Sequence, residues 1–311
     1  MPDFSAATLT TMQRQIGHLT STQLAAGGIG RTARRRLVDD RVLDRPFKSV
    51  YRVSTKRPTF EQRLIALSLA HPSGFITGPT LGGYQKLRRM PRASQLHLCI
   101  GHDSRIDIPA DVRVRQSTRI GSLDVRMLDN GMRVASWPRL LFDLAADLTK
   151  TNLTSVIDQV LRDGHCSLEE LGAIAQRLCH PNRPGSELFM RTLMEHGGRK
   201  PVESHPELQI MNGLVARGVP VEPQHEDIRL HNGKRVRVDL AVPAVRWGVE
   251  VDVHPSHRMP VGVVRDKQRD RQLHRVDWQV EHVSDEEFVD LESLLDELAA
   301  LYRDRVAVVA A

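Results

Sequence analysis

Arg235-Val236-Arg237-Val238-Asp239-Leu240-Ala241-Val242, closely followed by Trp247-Gly248-Val249-Glu250-Val251-Asp252, sets acidic residues on the polar side of two otherwise apolar segments. In an extended strand, residues two apart point to the same face, about 7 Å from one another. Glu250 and Asp252 therefore share a face, opposite Val249 and Val251. Asp239 lies on the side of Arg235 and Arg237, while Val236, Val238, Leu240 and Val242 alternate toward a core. Two neighbouring strands of this kind bring three carboxylates together, an oxygen-rich arrangement suited to a divalent cation. A surface salt bridge from Arg237 or Arg246 is the alternative use of the same charges.

The flanking residues predict an α-β-β-β-α-β order over 199–303. Ser204-His205-Pro206-Glu207 opens a helix with Leu208, Met211, Leu214 and Val215 on one side, and Gly218 stops it. Strands at 224–230 and 234–242 join across His231-Asn232-Gly233, a strong hairpin signal. A third strand runs 245–253, a helix 261–274, and a last strand 278–283. Ser284 with Glu287 forms a capping box before a closing helix that packs through Phe288, Leu291, Leu295, Leu298 and Tyr302.

Residues 8–57 predict a winged helix-turn-helix. Thr20 and Gln23 form a capping box that starts a helix at Ser21, and Gly27-Gly28-Ile29-Gly30 breaks it. A second helix over 31–39 turns Ala33, Leu37 and Val38 inward and Arg31, Arg34, Arg35 and Arg36 outward, as a recognition helix would. The stretch from Arg45 to Val53, with Lys48 at its centre, reads as the wing. A small helical cap that packs only on its own protein is the competing reading. Between 58 and 198 we expect an α+β middle or linker domain: a helix at 60–70, short strands near 96–100, 112–116 and 132–135, then four helices to 196. Its Asp143 and Asp147, one helical turn apart, are expected to be solvated or to cap a helix.

With 311 residues the chain can bury a full core, and its length favours two or three domains. No apolar run approaches the roughly 18 residues needed to cross a bilayer, so no membrane partner is expected. The N-terminus shows no secretory signal. Cys99, Cys166 and Cys179 are scattered without CxxC spacing, which suits a reducing cytoplasm, and we expect all three to be buried as small hydrophobes. The formal charge of +6 is compatible with a polyanionic partner. A second basic cluster, Arg265, Lys267, Arg269 and Arg271, falls on the 261–274 helix. There it either contacts phosphate or pairs with Asp266 and Asp270.

Taken together, Glu207, Asp239, Glu250-Val251-Asp252, His257, Asp266-x-x-Arg269-x-x-x-Leu273 and Trp278 resemble the very-short-patch-repair-like branch of PD-(D/E)XK endonucleases over roughly 90–100 residues. Residues 8–198 are similar, at lower specificity, to AbiEi-type antitoxin and abortive-infection regulators. Many actinobacterial proteins share this two-part architecture. The resemblance implies an α/β multidomain protein: a winged helix, a mainly helical α+β middle, and a restriction-endonuclease-like α/β/α core with a mixed sheet. It implies that Asp239 and Glu250 ligate Mg²⁺ or Mn²⁺, with the Val251 carbonyl as a further ligand and Glu207 acting through a water. Asp252 stands where the wider family has a catalytic Lys, so the acid/base group passes to His257 or Lys267. Val253 and Asp277 stand where relatives usually have Gly.

Two functions follow as expectations. One is a metal-dependent DNA endonuclease in defence or repair, with RNA as a less favoured substrate. The other is a DNA-binding regulator or antitoxin whose nuclease fold is inert. DNA is the expected partner in both, and a homo-oligomer is left open.

Overall fold

The computed structural model describes residues 4–53, 56–92, 94–104, 109–198, 200–252 and 260–311, without the side chains of 252, 260–267 and 285. The chain is a mixed α/β protein of two compact units: Met1–Leu148 with Glu169–Arg191, and Thr149–Leu168 with Thr192–Ala311. The span 58–198, expected as one middle domain, is shared between them. Among the described residues no helix is long and apolar enough to cross a membrane.

In the first unit, α1 (Ala6–Arg14) leads into β1 (His18–Thr20), α2 (Ser21–Ala26), α3 (Arg31–Asp39), β2 (Asp44–Phe47) and β3 (Val50–Arg52). β3 lies between β1 and β2 in an antiparallel sheet. The expected capping box forms: the Thr20 hydroxyl accepts from the Gln23 N–H at 3.2 Å, and Gln23 Oε1 accepts from the Thr20 N–H at 2.7 Å. Leu19, Leu24, Ile29, Leu43 and Tyr51 make a core against which Leu37 and Val38 are half-buried. Ala33, expected inward, is exposed. The inward stripe of α3 is Arg34, Leu37 and Val38, the i, i+3, i+4 set, and it leaves Ala33 outside.

Next come α4 (Phe60–Ala70), β4 (Phe75–Ile76), α5 (Gly78–Tyr84), β5 (Leu96–Gly101), β6 (Val112–Ser117), β7 (Val125–Met127), β8 (Arg133–Ala135) and α6 (Trp137–Leu144). The five strands order as β6-β5-β4-β8-β7, with parallel and antiparallel pairs. Asp143 corrects the expectation of a solvated carboxylate, because it is fully buried. It accepts from Arg139 Nε at 3.1 Å, Arg115 Nη1 at 3.2 Å and Thr77 Oγ1 at 2.7 Å, and this donor set offsets the cost of burying its charge. α7 (Lys150–Arg162), α8 (Leu168–Leu178) and α9 (Ser186–His196) follow in the chain. Cys99 is buried as expected. Cys166 and Cys179 are only half-buried, because they flank the two ends of α8 where the chain turns into loops.

The second unit completes itself with α10 (His205–Ala216), β9 (Glu222–Arg229), β10 (Arg235–Val242), β11 (Trp247–Asp252), α11 (Pro260–Arg275), β12 (Gln279–Ser284) and α12 (Leu291–Ala310). This is the element order read from the sequence. The third strand begins two residues later than expected, after a 3-10 turn over Pro243–Val245. The sheet order is β12-β11-β10-β9, antiparallel except for the β11–β12 pair, whose parallel crossover is made through α11. Both faces of the sheet are covered. Leu240, Val242, Trp247, Val249 and Val251 pack with α10 and α12, whereas Val238 and Ala241 pack with Leu273 of α11 and with Trp278. The expected single alternation of Val236, Val238, Leu240 and Val242 toward one core therefore breaks after Val238. The β9–β10 register shifts between Val236 and Val238, with the extra residue on β9, just ahead of that change of face. Val215, expected on the packed side of α10, is 55% exposed, because the stripe facing the sheet runs through Ile210, Met211 and Leu214.

Gly248 of β11 lies tight against β10. A Cβ there would lie 2.7 Å from Val238 Cγ1 and 2.8 Å from the Leu240 carbonyl oxygen, and a main-chain atom cannot swing aside. Gly248→Ala is expected to destabilise the protein by about 1–3 kcal/mol, read as a lower urea midpoint in equilibrium unfolding.

Candidate active site

The β10–β11 register pairs Leu240 with Val249 and Ala241 with Gly248. The ladder ends there, and the next residues along the two strands are Asp239 and Glu250, which carry like charge. Asp239 Oδ2 accepts from the Val251 N–H at 3.1 Å, which ties this carboxylate to the main chain of the neighbouring strand. Glu250 is 7% exposed. Its Oε2 accepts from Arg269 Nη1 of α11, and Arg269 Nη2 donates to the Arg237 carbonyl of β10.

Glu207 reaches the same place from α10. At i, i+3, i+4 and i+7, Glu207, Ile210, Met211 and Leu214 form one inward stripe, so the carboxyl is drawn down with the apolar residues to 5% exposure. Ser204 caps the helix by accepting from the Glu207 N–H at 3.2 Å. Glu207 Oε2 accepts from the Glu203 N–H and from Gln224 Nε2, both at 2.9 Å. Gln224 holds a left-handed backbone, φ +54°, inside β9 and is itself buried. Strain of this kind in a non-glycine residue persists only where surrounding contacts enforce it. Here the Glu207 carboxylate and Lys200, whose Nζ donates to the Gln224 carbonyl at 3.1 Å, supply those contacts.

The electrostatics tie the three acids together. Burial pushes the Glu207 carboxyl above the ordinary range, and the charge of Asp239 pushes it further. Burial likewise raises Glu250, Asp239 adds to the rise, and Arg269 and His282 pull against it. Asp239 thus acts on both glutamates, and the three share one negative field. Among the described residues no three His, Cys, Asp or Glu side chains group closely enough to hold a metal on their own. Asp239 and Glu250 supply carboxylate oxygens, the donor type a hard cation takes.

Other expected residues fall in different places. Asp252 pairs in register with Ser284 on β12, but its side chain lies outside the described residues, as do those of Arg265 and Lys267 and the whole of His257. Arg271 is exposed on α11. Arg31, Arg35 and Arg36 are exposed on α3, the last two within 3.9 and 3.7 Å of Asp39 and Asp40, and Lys48 is exposed at the β2–β3 turn. Arg34, expected to face DNA, folds back on its own domain: Nη1 donates to the Ile29 and Ser21 carbonyls at 2.9 and 3.2 Å, with the guanidinium over the Tyr51 ring. Arg237 and Arg246, the alternative partners for the carboxylates, pair with Glu203 and Asp277, and Arg237 also lies within the field of Asp239 and Glu207. Asp277 takes φ +63°, a backbone that glycine adopts most readily. Two further residues near the site are not singled out by sequence. Gln224 is one. His282 is the other: it sits opposite Glu250 in the β11–β12 ladder, with Nδ1 4.0 Å from Glu250 Oε2 and Nε2 3.0 Å from Asp270 Oδ1.

No family model matches the chain. It is 25% identical over 163 residues, 52% of its length, to "Uncharacterized protein Rv2248" of Mycobacterium tuberculosis (strain H37Rv), and equally to "Uncharacterized protein MT2308" of strain CDC 1551. The match spans 58% of the length of these curated relatives. The crystal structure of the Rv2827c protein from Mycobacterium tuberculosis aligns with a TM-score of 0.43 at 15% identity, covering 63% of this chain and 76% of that one.

Because the folded-state pKa of Glu207 is raised, its contribution to stability is fully present below the ordinary carboxylate range and is lost as pH rises through the elevated value. Glu207→Gln removes the titration while keeping an acceptor for Glu203 and Gln224. Its melting temperature is expected to match the parent near pH 4 and to exceed it by a few degrees at pH 7 to 8 in chelator-treated protein, measured by calorimetry across that range.

Proposed function

We propose that this protein is a metal-dependent DNA endonuclease, in which the second unit is a PD-(D/E)XK-type core that hydrolyses phosphodiester bonds and the first carries a winged helix-turn-helix that binds DNA. The observation that carries this reading is the shared negative field of Glu207 on α10, Asp239 on β10 and Glu250 on β11, the two glutamates buried. Burying like charges together is costly unless a cation is to be held there. Asp239 and Glu250 would hold Mg²⁺ or Mn²⁺, with the Val251 carbonyl as a further oxygen and Glu207 acting through a water. When bound, the ion supplies a water of lowered pKa and positive charge against the phosphate oxygens. Since Asp252 replaces the usual Lys, proton transfer falls to a neighbouring group. His257 and Lys267 are the candidates from sequence. His282, oriented by Asp270 beside Glu250, joins them with a side chain suited to proton transfer near neutrality. The exposed Arg31, Arg35 and Arg36 of α3 and Lys48 of the turn would contact DNA phosphates or guanine edges. The setting proposed is the cytoplasm, in defence or repair.

The Arg269–Glu250 pair favours a second reading. A guanidinium already seated on a metal-ligating carboxylate is also what a retired active site would contain, leaving a DNA-binding regulator or antitoxin with an inert nuclease fold. The two readings part on one assay. Incubated with supercoiled plasmid and Mg²⁺ or Mn²⁺, the purified chain is expected to yield nicked circles. Asp239→Ala or Glu250→Ala should each lower the rate by at least about 100-fold, since even outer-shell partners of a metal site are worth 10–100-fold. Nicking that survives either change rejects the nuclease reading, and absence of nicking alongside intact DNA binding supports the regulator.

DNA affinity itself is expected to depend on α3. Replacing Arg35 and Arg36 by Ala should weaken binding without regard to sequence and flatten the log Kd against log salt plot by roughly 0.9 for each phosphate no longer neutralised. Fluorescence anisotropy over a salt series measures both.

A further inference from the structure

Arg269 belongs to two sites at once. Its guanidinium holds Glu250 and the Arg237 carbonyl, and it also lines a groove of about 760 Å³ between the β9–β10 hairpin and α11. Asn232, Lys234, Gln268, Arg271, Gln272 and Arg275 line the same groove, and among the described residues none that lines it is acidic. Four cations and three amides in one channel suit a phosphodiester backbone, with the amides as donors and acceptors for sugar or base edges. A phosphate entering there meets Arg269, which has a second partner to give up.

We propose that Arg269 is an exchangeable counter-ion: it neutralises Glu250 while the groove is empty, transfers to a nucleic-acid phosphate when the groove fills, and so makes dication binding and nucleic-acid binding mutually reinforcing. The inference rests on the reading of Asp239 and Glu250 as metal ligands. Its physical basis is competition. A guanidinium and a dication compete for the one negative charge of Glu250, so the ion binds against the Arg269 pair, and any anion that attracts Arg269 lowers that cost. Leu273, four residues on, is fixed in the α11 core, so the helix is anchored while the long arginine side chain can redirect its head group. Linkage makes the effect reciprocal: whatever factor phosphate adds to metal affinity, the metal adds to phosphate affinity.

Isothermal titration of Mn²⁺ into the full-length, metal-free chain tests this, with Arg269→Gln, Arg269→Lys, Arg271→Gln and Asp239→Ala as comparisons. Arg269→Gln is expected to bind Mn²⁺ on the order of tenfold more tightly than the parent, Arg269→Lys to fall between, and Arg271→Gln to match the parent. A phosphorothioate DNA duplex, corrected for its own Mn²⁺ binding, should tighten Mn²⁺ for the parent by a similar factor and leave Arg269→Gln unmoved. Without metal, Arg269→Gln should melt below the parent, because Glu250 loses its cation, and saturating Mn²⁺ should close that gap. Equal Mn²⁺ affinity in parent and Arg269→Gln, or equal tightening by Arg271→Gln, overturns the exchange while sparing the site. Mn²⁺ binding indifferent to Asp239→Ala overturns the site itself and the exchange with it.

Discussion

Two buried glutamates and an aspartate within one field cannot all remain charged unless something positive stands beside them, and the second unit is arranged around that requirement. Asp239 and Glu250 follow on directly from the β10–β11 register, Glu207 is drawn inward by the apolar stripe of α10, and Arg269 reaches across from α11. Helix, hairpin and crossover each bring a charged side chain to this cluster. The two hydrophobic clusters hold that convergence in place: one fixes α10 and α12 beneath the strands, and the other fixes α11 above them. Without both layers, the arginine and the carboxylates would have no reason to meet.

Much of this arrangement was legible in the residues. The hairpin over Asn232-Gly233, the Thr20–Gln23 box and the order of elements from α10 to β12 follow from turn chemistry and periodicity, which are local properties. What was not legible is pairing across elements. Arg269 reads equally well as a phosphate contact or a salt-bridge partner, because its helix neighbours Asp266 and Asp270 hide a strand-borne Glu250 nineteen residues earlier. His282 becomes relevant only once β12 is known to lie parallel to β11 in a register that sets it against Glu250. Gln224 has no sequence signal at all, since its importance lies in a left-handed backbone and a bond to Glu207.

The misreadings have the same origin. Asp143 and Asp147 lie one turn apart on a helix, a pattern that usually means a solvated face, yet Asp143 is fully buried among Arg115, Arg139 and Thr77. Arg34 carries a recognition helix's charge but occupies the inward stripe of α3. In both cases a charged side chain replaces an apolar one at a packed position, and hydropathy alone points the wrong way. Strand β10 shows the converse. Its regular alternation suggests one buried face, but parallel pairing of β11 to β12 through α11 covers the other face as well.

Two buried charge clusters, one in each unit, contrast structural and proposed functional use of the same chemistry. In the first unit, burial pushes the Asp124 carboxyl up, but hydrogen bonds from Arg177 and the Gly121 N–H, with Arg139 close by, overcome it and hold the group below the ordinary range. Arginines supply that cluster with positive charge from several sides. In the second unit burial prevails, and both Glu207 and Glu250 stay above the ordinary range despite Arg269. Acids left short of cations are where a fold departs from its most stable arrangement, and such departures concentrate at sites that bind or react. The raised carboxyls of Glu207 and Glu250, set against the lowered carboxyl of Asp124, are the physical ground for proposing a dication as the complement of the second cluster and not of the first.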